Sequence, residues 1–300
     1  MGRSAAVNAW AARGAYRQLA GHRIFTVDVP AVGREAREPL LVVHGFPTSS
    51  LDFHLVVDRL AVDRRVHLVD LLGYGLSAKP DIAYGIDIQA DVVAAYTAAI
   101  GLTETALLTH DLGDTVGGEL LARQLEGRWP VDVTRRVLAN GSIYIDMAHL
   151  STGQQLLLSL PDERLGEDAP VTEDGVAAGV MATFAERSRV ADDDVTALAE
   201  LVAAGGGLRL LPRLVRYIEE RRRREGRFTG AIERHPSPVT VVWGTEDPIA
   251  VAAMASRFHR ARPDARLTWL DGVGHYPMLE DPDRFADAVL DGLEGLDGLG

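Results

Sequence analysis

From residue 37 to about residue 141 the chain alternates short apolar runs with segments of helical spacing. That rhythm limits the possible folds more than any other feature, because repeated strand–helix–strand units pack as a parallel sheet with crossover helices. His22–Val29 reads as an early edge strand. Leu40–Val43 reads as a buried strand running into His44-Gly45-Phe46-Pro47. Residues 66–70 form the next strand and lead into the glycine-rich turn Leu72-Gly-Tyr-Gly-Leu-Ser77. Residues 86–100 read as a helix stopped by Gly101, residues 106–109 as a strand, residues 113–125 as a helix with Gly127 beyond it, and residues 136–139 as a further strand.

The alternation then breaks. Residues 142–235 contain helical patterns and no convincing strand; the clearest is 208–224, read as one helix with apolar positions 210, 211, 214, 215 and 218. Strands resume at 238–243 and Arg266–Leu270, each followed by a helix. A helical insertion at this point sits where strand ends would otherwise lie open, which is the place of a lid over a site. The expected fold class is therefore α/β: a mostly parallel, doubly wound sheet formed by residues 1–141 and 236–300, with residues 142–235 as a helical cap.

The length of 300 residues and 47% hydrophobic content suffice for a large core with an appended cap. A formal net charge of −12 repels nucleic acid and anionic lipid, so neither is an expected partner. The absence of cysteine excludes disulfides, thiolate chemistry and Cys-based zinc sites. No apolar run reaches transmembrane length and the first residues lack the apolar core of a signal peptide, so a cytoplasmic protein is expected. No cofactor or metal is expected. A homodimer is compatible with the sequence.

The chemistry concentrates at strand ends. Thr109-His110-Asp111-Leu112-Gly113 joins an apolar strand to a helix and has the small-x-nucleophile-x-small form of a nucleophile elbow, with Asp in the nucleophile position. Asp111 then lies at a helix N-terminus, where free N–H groups and the helix dipole favour an anion. Helix capping is the plain alternative role for such an Asp, and the motif alone does not choose between them. Residues 239–247 are a strand ending in Asp247, where the acid of a triad belongs. Gly272-Val-Gly-His275 places a histidine in the loop after the next strand. The order nucleophile, acid, histidine is the hydrolase order. His44-Gly45-Phe46 can supply one oxyanion N–H from Phe46, with the second from Leu112. A turn role for Asp247, a structural role for His275 and a tight turn at His44-Gly45 are each plausible singly. Their joint occurrence in this order favours catalysis.

These segments, together with Asp70-Leu-Leu-Gly-Tyr-Gly-Leu-Ser-Ala-Lys-Pro80 and Gly274-His-Tyr-Pro-Met-Leu-Glu-Asp-Pro282, resemble the α/β-hydrolase superfamily. More narrowly they resemble its Asp-nucleophile branch of epoxide hydrolases and haloalkane dehalogenases. Within that branch, His-Asp-x-Gly-Asp at 110–114 and Tyr-Ile-x-x-Arg at 217–221 are similar to the mesoderm-specific transcript protein-like hydrolases and their bacterial members. The likeness runs from about residue 10 to 290 and is weak inside the cap. It implies an alkyl-enzyme ester on Asp111, hydrolysed by water that His275 activates while Asp247 orients the imidazole. A carboxylate suits attack on sp³ carbon bearing a leaving group, so the implied substrate is a small hydrophobic epoxide or alkyl halide. Dehalogenases of the branch commonly carry Trp directly after the nucleophile, where this chain has Leu112, and none of Trp10, Trp129, Trp243 and Trp269 falls in the cap. Related epoxide hydrolases use cap tyrosines as the acid, which points to Tyr217 and, less strongly, Tyr144. The expected activity is epoxide hydrolase-like. Haloalkane dehalogenation, esterase-like hydrolysis and non-catalytic ligand binding are the competing readings. His44, Pro47, His110 and Asp114 are expected around the pocket. Asp114 stands where many epoxide hydrolases have Gly; it either complements the helix dipole, the favoured reading, or forms a second carboxylate that shifts a pKa. Arg221–Arg224 is expected as a solvated helix end and Asp192–Asp194 as a helix start.

Overall fold

The computed structural model describes residues 3–167 and 170–294. In chain order the elements begin with α1 (Ala5–Arg13), β1 (Gly14–Leu19), β2 (His22–Val29), β3 (Leu40–Val43), α2 (Val57–Leu60) and β4 (Val66–Val69). They continue with α3 (Ile86–Ala99), β5 (Glu104–His110), α4 (Leu112–Leu125) and β6 (Asp132–Ala139). Helices alone follow: α5 (Thr152–Ser159), α6 (Glu173–Met181), α7 (Asp192–Ala203), α8 (Leu211–Leu214) and α9 (Tyr217–Arg234). The chain ends with β7 (Val239–Gly244), α10 (Ala252–Ala261), β8 (Arg266–Leu270), α11 (Pro277–Glu280) and α12 (Pro282–Glu294).

The eight strands form one sheet in the order β1-β2-β4-β3-β5-β6-β7-β8. The pairs β1–β2 and β2–β4 are antiparallel and all the others parallel. The apolar runs β3, β4 and β7 are buried at every residue, as a sheet covered on both faces requires. The order reverses between β3 and β5, which pair in parallel with Leu40 beside Ala106 and Val43 beside Thr109. Their C-terminal ends open the crevice where ligands of open α/β sheets bind.

Two expectations need correction. His22–Val29 is not the edge strand: β1 covers it, hydrogen-bonded over Gly14 to Leu19. The polar, alternating run Gly-Ala-Tyr-Arg-Gln-Leu carries too little apolar signal to stand out. Residues 208–224 are not one helix either. Gly205 and Gly206 adopt φ of 62° and 78°, a 3₁₀ turn spans Ala204–Leu210, and Pro212 at the start of α8 imposes a fresh beginning. The same break interrupts Asp192–Leu214, which by length and hydropathy alone could cross a membrane; 56% of its most apolar window is buried inside the protein. Asp192 does open α7, with three acids in the first turn where the dipole favours them.

The helices between β6 and β7 divide in two. α9 lies along α4 and is tied to it by Glu119, a buried carboxylate bound by Arg123 Nε at 2.8 Å and by Arg227 Nε at 2.5 Å. α5 and α6 instead border a cavity that reaches His275.

Candidate active site

Asp111 sits between β5 and α4 with φ 50° and ψ −115°, backbone angles that a side-chain-bearing residue adopts only under constraint. The turn is tight enough that a Cβ on Gly113 would lie 2.2 Å from the Val43 carbonyl oxygen, and one on Gly45 would lie 2.5 Å from Asp111 Cβ. The small residues are thus a spatial requirement. Asp111 Oδ2 accepts the Phe46 N–H at 2.8 Å. Leu112 opens α4, so its amide is one of the first-turn donors that have no intrahelical acceptor. One carboxylate oxygen is anchored in the expected oxyanion position, and the other faces the histidine.

His275 Nε2 stands 3.9 Å from Asp111 Oδ1, and its Nδ1 is 2.8 Å from Asp247 Oδ2. Burial pushes the imidazole pKa down, but the charges of Asp247 and then Asp111, with the Asp247 hydrogen bond, raise it to about 9. The resting state is therefore an imidazolium between two carboxylates. The Ile249 and Ala250 N–H groups hold Asp247 Oδ1 at 2.7 and 3.0 Å. Asn140, directly after β6, donates to Asp247 Oδ2 at 2.8 Å and accepts the Gly244 N–H at 3.0 Å. Sequence reasoning missed Asn140; its only signal is a lone polar residue at the end of an apolar strand.

His110 packs its ring 5.1 Å from that of His275 and bonds through Nε2 to the His275 carbonyl at 2.8 Å. Burial and the nearby His275 charge hold it near pKa 4, so it is a neutral donor that fixes the loop. His44 is likewise buried away from the cavity. Its Nε2 accepts the Leu71 N–H at 3.0 Å and its Nδ1 meets the Gly45 carbonyl, which ties the oxyanion loop to the end of β4. Pro47, by contrast, lines the cavity.

The two cap tyrosines part company. Tyr217, at the start of α9, is buried with its ring 5.6 Å from Phe46, and its hydroxyl interacts with the Gln154 side chain. Burial and the Asp111 charge raise its pKa, so the phenol is protonated and can donate. Tyr144 instead gives its hydroxyl to Glu233 at 2.6 Å, under the Arg257 guanidinium. Neither tyrosine lines the cavity, but Tyr217 borders a smaller pocket with Leu112 and feels the Asp111 charge, whereas Tyr144 does neither. Tyr276, which sequence reasoning passed over, does line the cavity, edge-on to His275.

Asp114 is buried rather than displayed on the first helical turn. Thr109 donates its hydroxyl to Oδ1, and Oδ2 lies against Gly141 without a hydrogen-bond partner. Burial pushes its pKa well up, against the Thr109 bond and the Arg221 charge, with Asp111 adding to the rise. The dipole reading is thus replaced by a neutral carboxyl. Arg221, expected in a solvated helix end, is buried too: its guanidinium bonds Thr115 Oγ1 and stands 5.4 Å from the Tyr217 ring. Arg224 at the end of the run ion-pairs with Asp87 and Glu220. A folded pKa above the unfolded one means that Asp114 stabilises at low pH and loses that contribution as pH rises. Asp114→Asn should therefore gain in melting temperature relative to wild type as pH rises above the ordinary carboxyl range of about 4, followed by circular dichroism. An equal loss at every pH would contradict the neutral carboxyl.

The cavity has a volume of about 180 Å³. Phe46, His275 and Tyr276 lie at its buried end, with Leu157, Val176 and Val180 along its walls. Among the described residues no group of three or more His, Cys, Asp or Glu side chains could hold a metal ion.

Residues 40–288 match the profile of the Alpha/beta hydrolase family. The chain belongs to the α/β-hydrolase family. This α/β-hydrolase is 34% identical over 290 residues to the putative hydrolase LipZ of Mycobacterium tuberculosis, covering 96% of this chain and 98% of LipZ. It is 30% identical over 300 residues to the mesoderm-specific transcript homolog protein of Bos taurus, covering 96% and 88%. An α/β-hydrolase fold protein from Burkholderia ambifaria superposes with a TM-score of 0.74 at 24% identity, covering 92% of this hydrolase and 97% of that chain. Structures of an epoxide hydrolase (TM-score 0.69) and of a Pseudomonas fluorescens meta-cleavage product hydrolase (TM-score 0.74) also superpose, at identities that show the fold alone.

Proposed function

We propose that this α/β-hydrolase opens epoxides through an alkyl ester on Asp111. The observation that carries the reading is the division of labour between the two Asp111 oxygens. Oδ2 is held by the Phe46 N–H at 2.8 Å, whereas Oδ1 faces His275 at 3.9 Å, too far for a hydrogen bond. Oδ1 can attack an epoxide carbon while the C–O bond breaks and the departing oxygen takes the Tyr217 proton. The ester carbonyl oxygen is then Oδ2, already in the oxyanion position, and water activated by His275 attacks the Asp111 carboxyl carbon.

The charge on His275 fits this order. A carboxylate nucleophile needs no base for the first step, so an imidazolium in the resting enzyme does no harm. Ester formation removes the Asp111 charge, one of the causes that raise the His275 pKa, so the imidazolium gives up its proton, which restores the Tyr217 phenol deprotonated in the first step and leaves a neutral ring that accepts the proton of water. A serine nucleophile would require the opposite starting state.

Epoxide rather than halide is supported by the missing halide donors. Leu112 follows the nucleophile, and the indole N–H groups of Trp10, Trp129 and Trp243 are bound to Ser50, Thr97 and the Ala250 carbonyl. Trp269 belongs to β8 and does not line the cavity. The test compares diol release from alkyl and aryl epoxides with halide release from bromoalkanes of the same chain. Diol formation with little halide is the expected result; faster turnover of the bromoalkanes would reverse the assignment.

A further inference from the structure

The cavity leaves the core between α5 and α6, and the two helices meet it with unequal surfaces. On α6 the residues that face it recur at helical spacing. Val176 and Val180 are buried along the wall, while Gly175 and Gly179 are exposed at the rim. Gly153 and Leu156 form the facing rim on α5. A glycine inside a helix costs stability relative to alanine, so its presence asks for a reason. Crowding is not the reason here. A Cβ on Gly179 would have no atom within 4 Å, and one on Gly153 would meet only Ser151 Oγ at 3.8 Å. Neither glycine has positive φ. What both positions share is that they line the slot.

The slot is apolar as well as open. Among the described lining residues none is Lys, Arg, Asp or Glu; Ser151, Gln154, Thr172, Thr183 and Tyr276 are uncharged polar groups, and the His275 imidazolium at the buried end already stands between Asp111 and Asp247. An ionised group drawn through it would lose its hydration, and an anion would meet at the buried end only an imidazolium already paired with Asp247 and facing Asp111. Leu156, 45% exposed, is one of the few large apolar side chains left in solvent on this protein, and it stands at the rim. Its volume of about 180 Å³ is close to the roughly 150 Å³ of an apolar cavity that holds one benzene molecule. It therefore accommodates a single ring or a short alkyl chain beside His275, and anything longer runs outward between the helices.

We propose that the slot between α5 and α6 receives the apolar arm of a neutral substrate, with Gly153 and Gly179 setting the bulk of arm that can pass. The proposal rests on the reading of Asp111 as the site of reaction for the choice of epoxide, but the slot itself can be tested without chemistry. The probes are 1-octanol and octanoate, which share a chain and differ in charge and which Asp111 cannot consume. Their binding is measured by calorimetric titration and by the shift in melting temperature of wild type, Gly179→Leu and Gly153→Leu. Wild type should bind octanol about tenfold or more tightly than octanoate, and each Leu variant that keeps the wild-type circular dichroism spectrum should bind octanol about tenfold more weakly, the scale of losing one to two methylene contacts. The substitutions come from opposite helices, so either one that folds decides the matter. Octanol binding unchanged in a folded Leu variant, or octanoate binding as tightly as octanol in wild type, overturns the proposal. A parallel measurement with 1,2-epoxyoctane and epoxypropane separates the two claims. Selective loss of the longer epoxide in the variants supports the slot, and absence of turnover of both by wild type, with the octanol pattern intact, removes the Asp111 chemistry while leaving the slot standing.

Discussion

Replacing His275 by Gln is expected to stop the reaction halfway, with substrate left as an ester on Asp111. The geometry separates the two half-reactions. Attack needs the free Asp111 Oδ1, with Tyr217 as the acid for the leaving oxygen, and no base; His275, whose Nε2 is 3.9 Å from Oδ1 and protonated at rest, is needed as a base only afterwards. Hydrolysis needs a base for water, and Asp247 holds only His275 in place for that role, through the 2.8 Å bond to Nδ1. Steady-state turnover should fall by about 10⁴–10⁶, the scale seen when one member of a triad acting as a unit is removed. Intact-mass spectrometry after mixing His275→Gln with an epoxide that the wild type consumes should show one added substrate mass, and peptide mapping should place it on Asp111. The Asp111→Asn variant should show none. An unmodified mass in His275→Gln would remove the covalent route. An oxygen label gives a second check: in one turnover in oxygen-18 water the new diol oxygen should come from Asp111, and the label should stay in the protein. The substitution should also flatten the pH dependence of stability. A folded pKa of about 9 against an ordinary 6.5 gives wild type a contribution that is complete below about pH 6.5 and lost as pH rises toward 9.

The parts of this site that the sequence displays are those fixed by local backbone demands. Asp111 is legible because an elbow needs small neighbours, and Gly113 beside the Val43 carbonyl shows that demand in the structure. Asp247 and His275 are legible because strands β7 and β8 are plain apolar runs and the acid and histidine follow them. Asn140 and Tyr276 are different. Their roles depend on which strand ends and loops come together across the sheet, Asn140 bridging to β7 and Tyr276 packing on His275, and nothing within a few residues of either encodes that. The cap follows the same division. Its helical character shows in spacing, but the two Tyr hydroxyls, alike in sequence, are assigned by long-range partners: Gln154 for Tyr217 and Glu233 for Tyr144. Arg221 misleads for a related reason. Four consecutive arginines look solvated, yet a helix turns 100° per residue, so Arg222 and Arg223 face solvent while Arg221, bonded to Thr115, and Arg224, paired with Asp87, return toward the packed side.

Tyr217→Phe should slow formation of the Asp111 ester far more than its hydrolysis. Opening an epoxide without a proton expels an alkoxide, a very poor leaving group at neutral pH, and a positioned acid is typically worth about 10²–10⁴ in rate. Tyr217 has the attributes of that acid. It is buried, its raised pKa keeps the proton on the phenol, and its ring packs 5.6 Å from Phe46, whose N–H holds the nucleophile. Tyr217 borders a smaller pocket with Leu112 beside the cavity, and Gln154, on the cavity wall, interacts with its hydroxyl. Phe keeps the ring and its packing, so loss of fold is not expected to confuse the result. Single-turnover measurements with a chromogenic epoxide should therefore show alkylation slowed by about 10²-fold or more, with decay of the ester close to wild type because the acid acts in the first step. Tyr144→Phe, which loses only the bond to Glu233, should leave both rates near wild type. An unchanged alkylation rate in Tyr217→Phe would take Tyr217 out of the mechanism. A loss confined to hydrolysis would place its hydroxyl on the attacking water beside His275 instead of on the leaving oxygen.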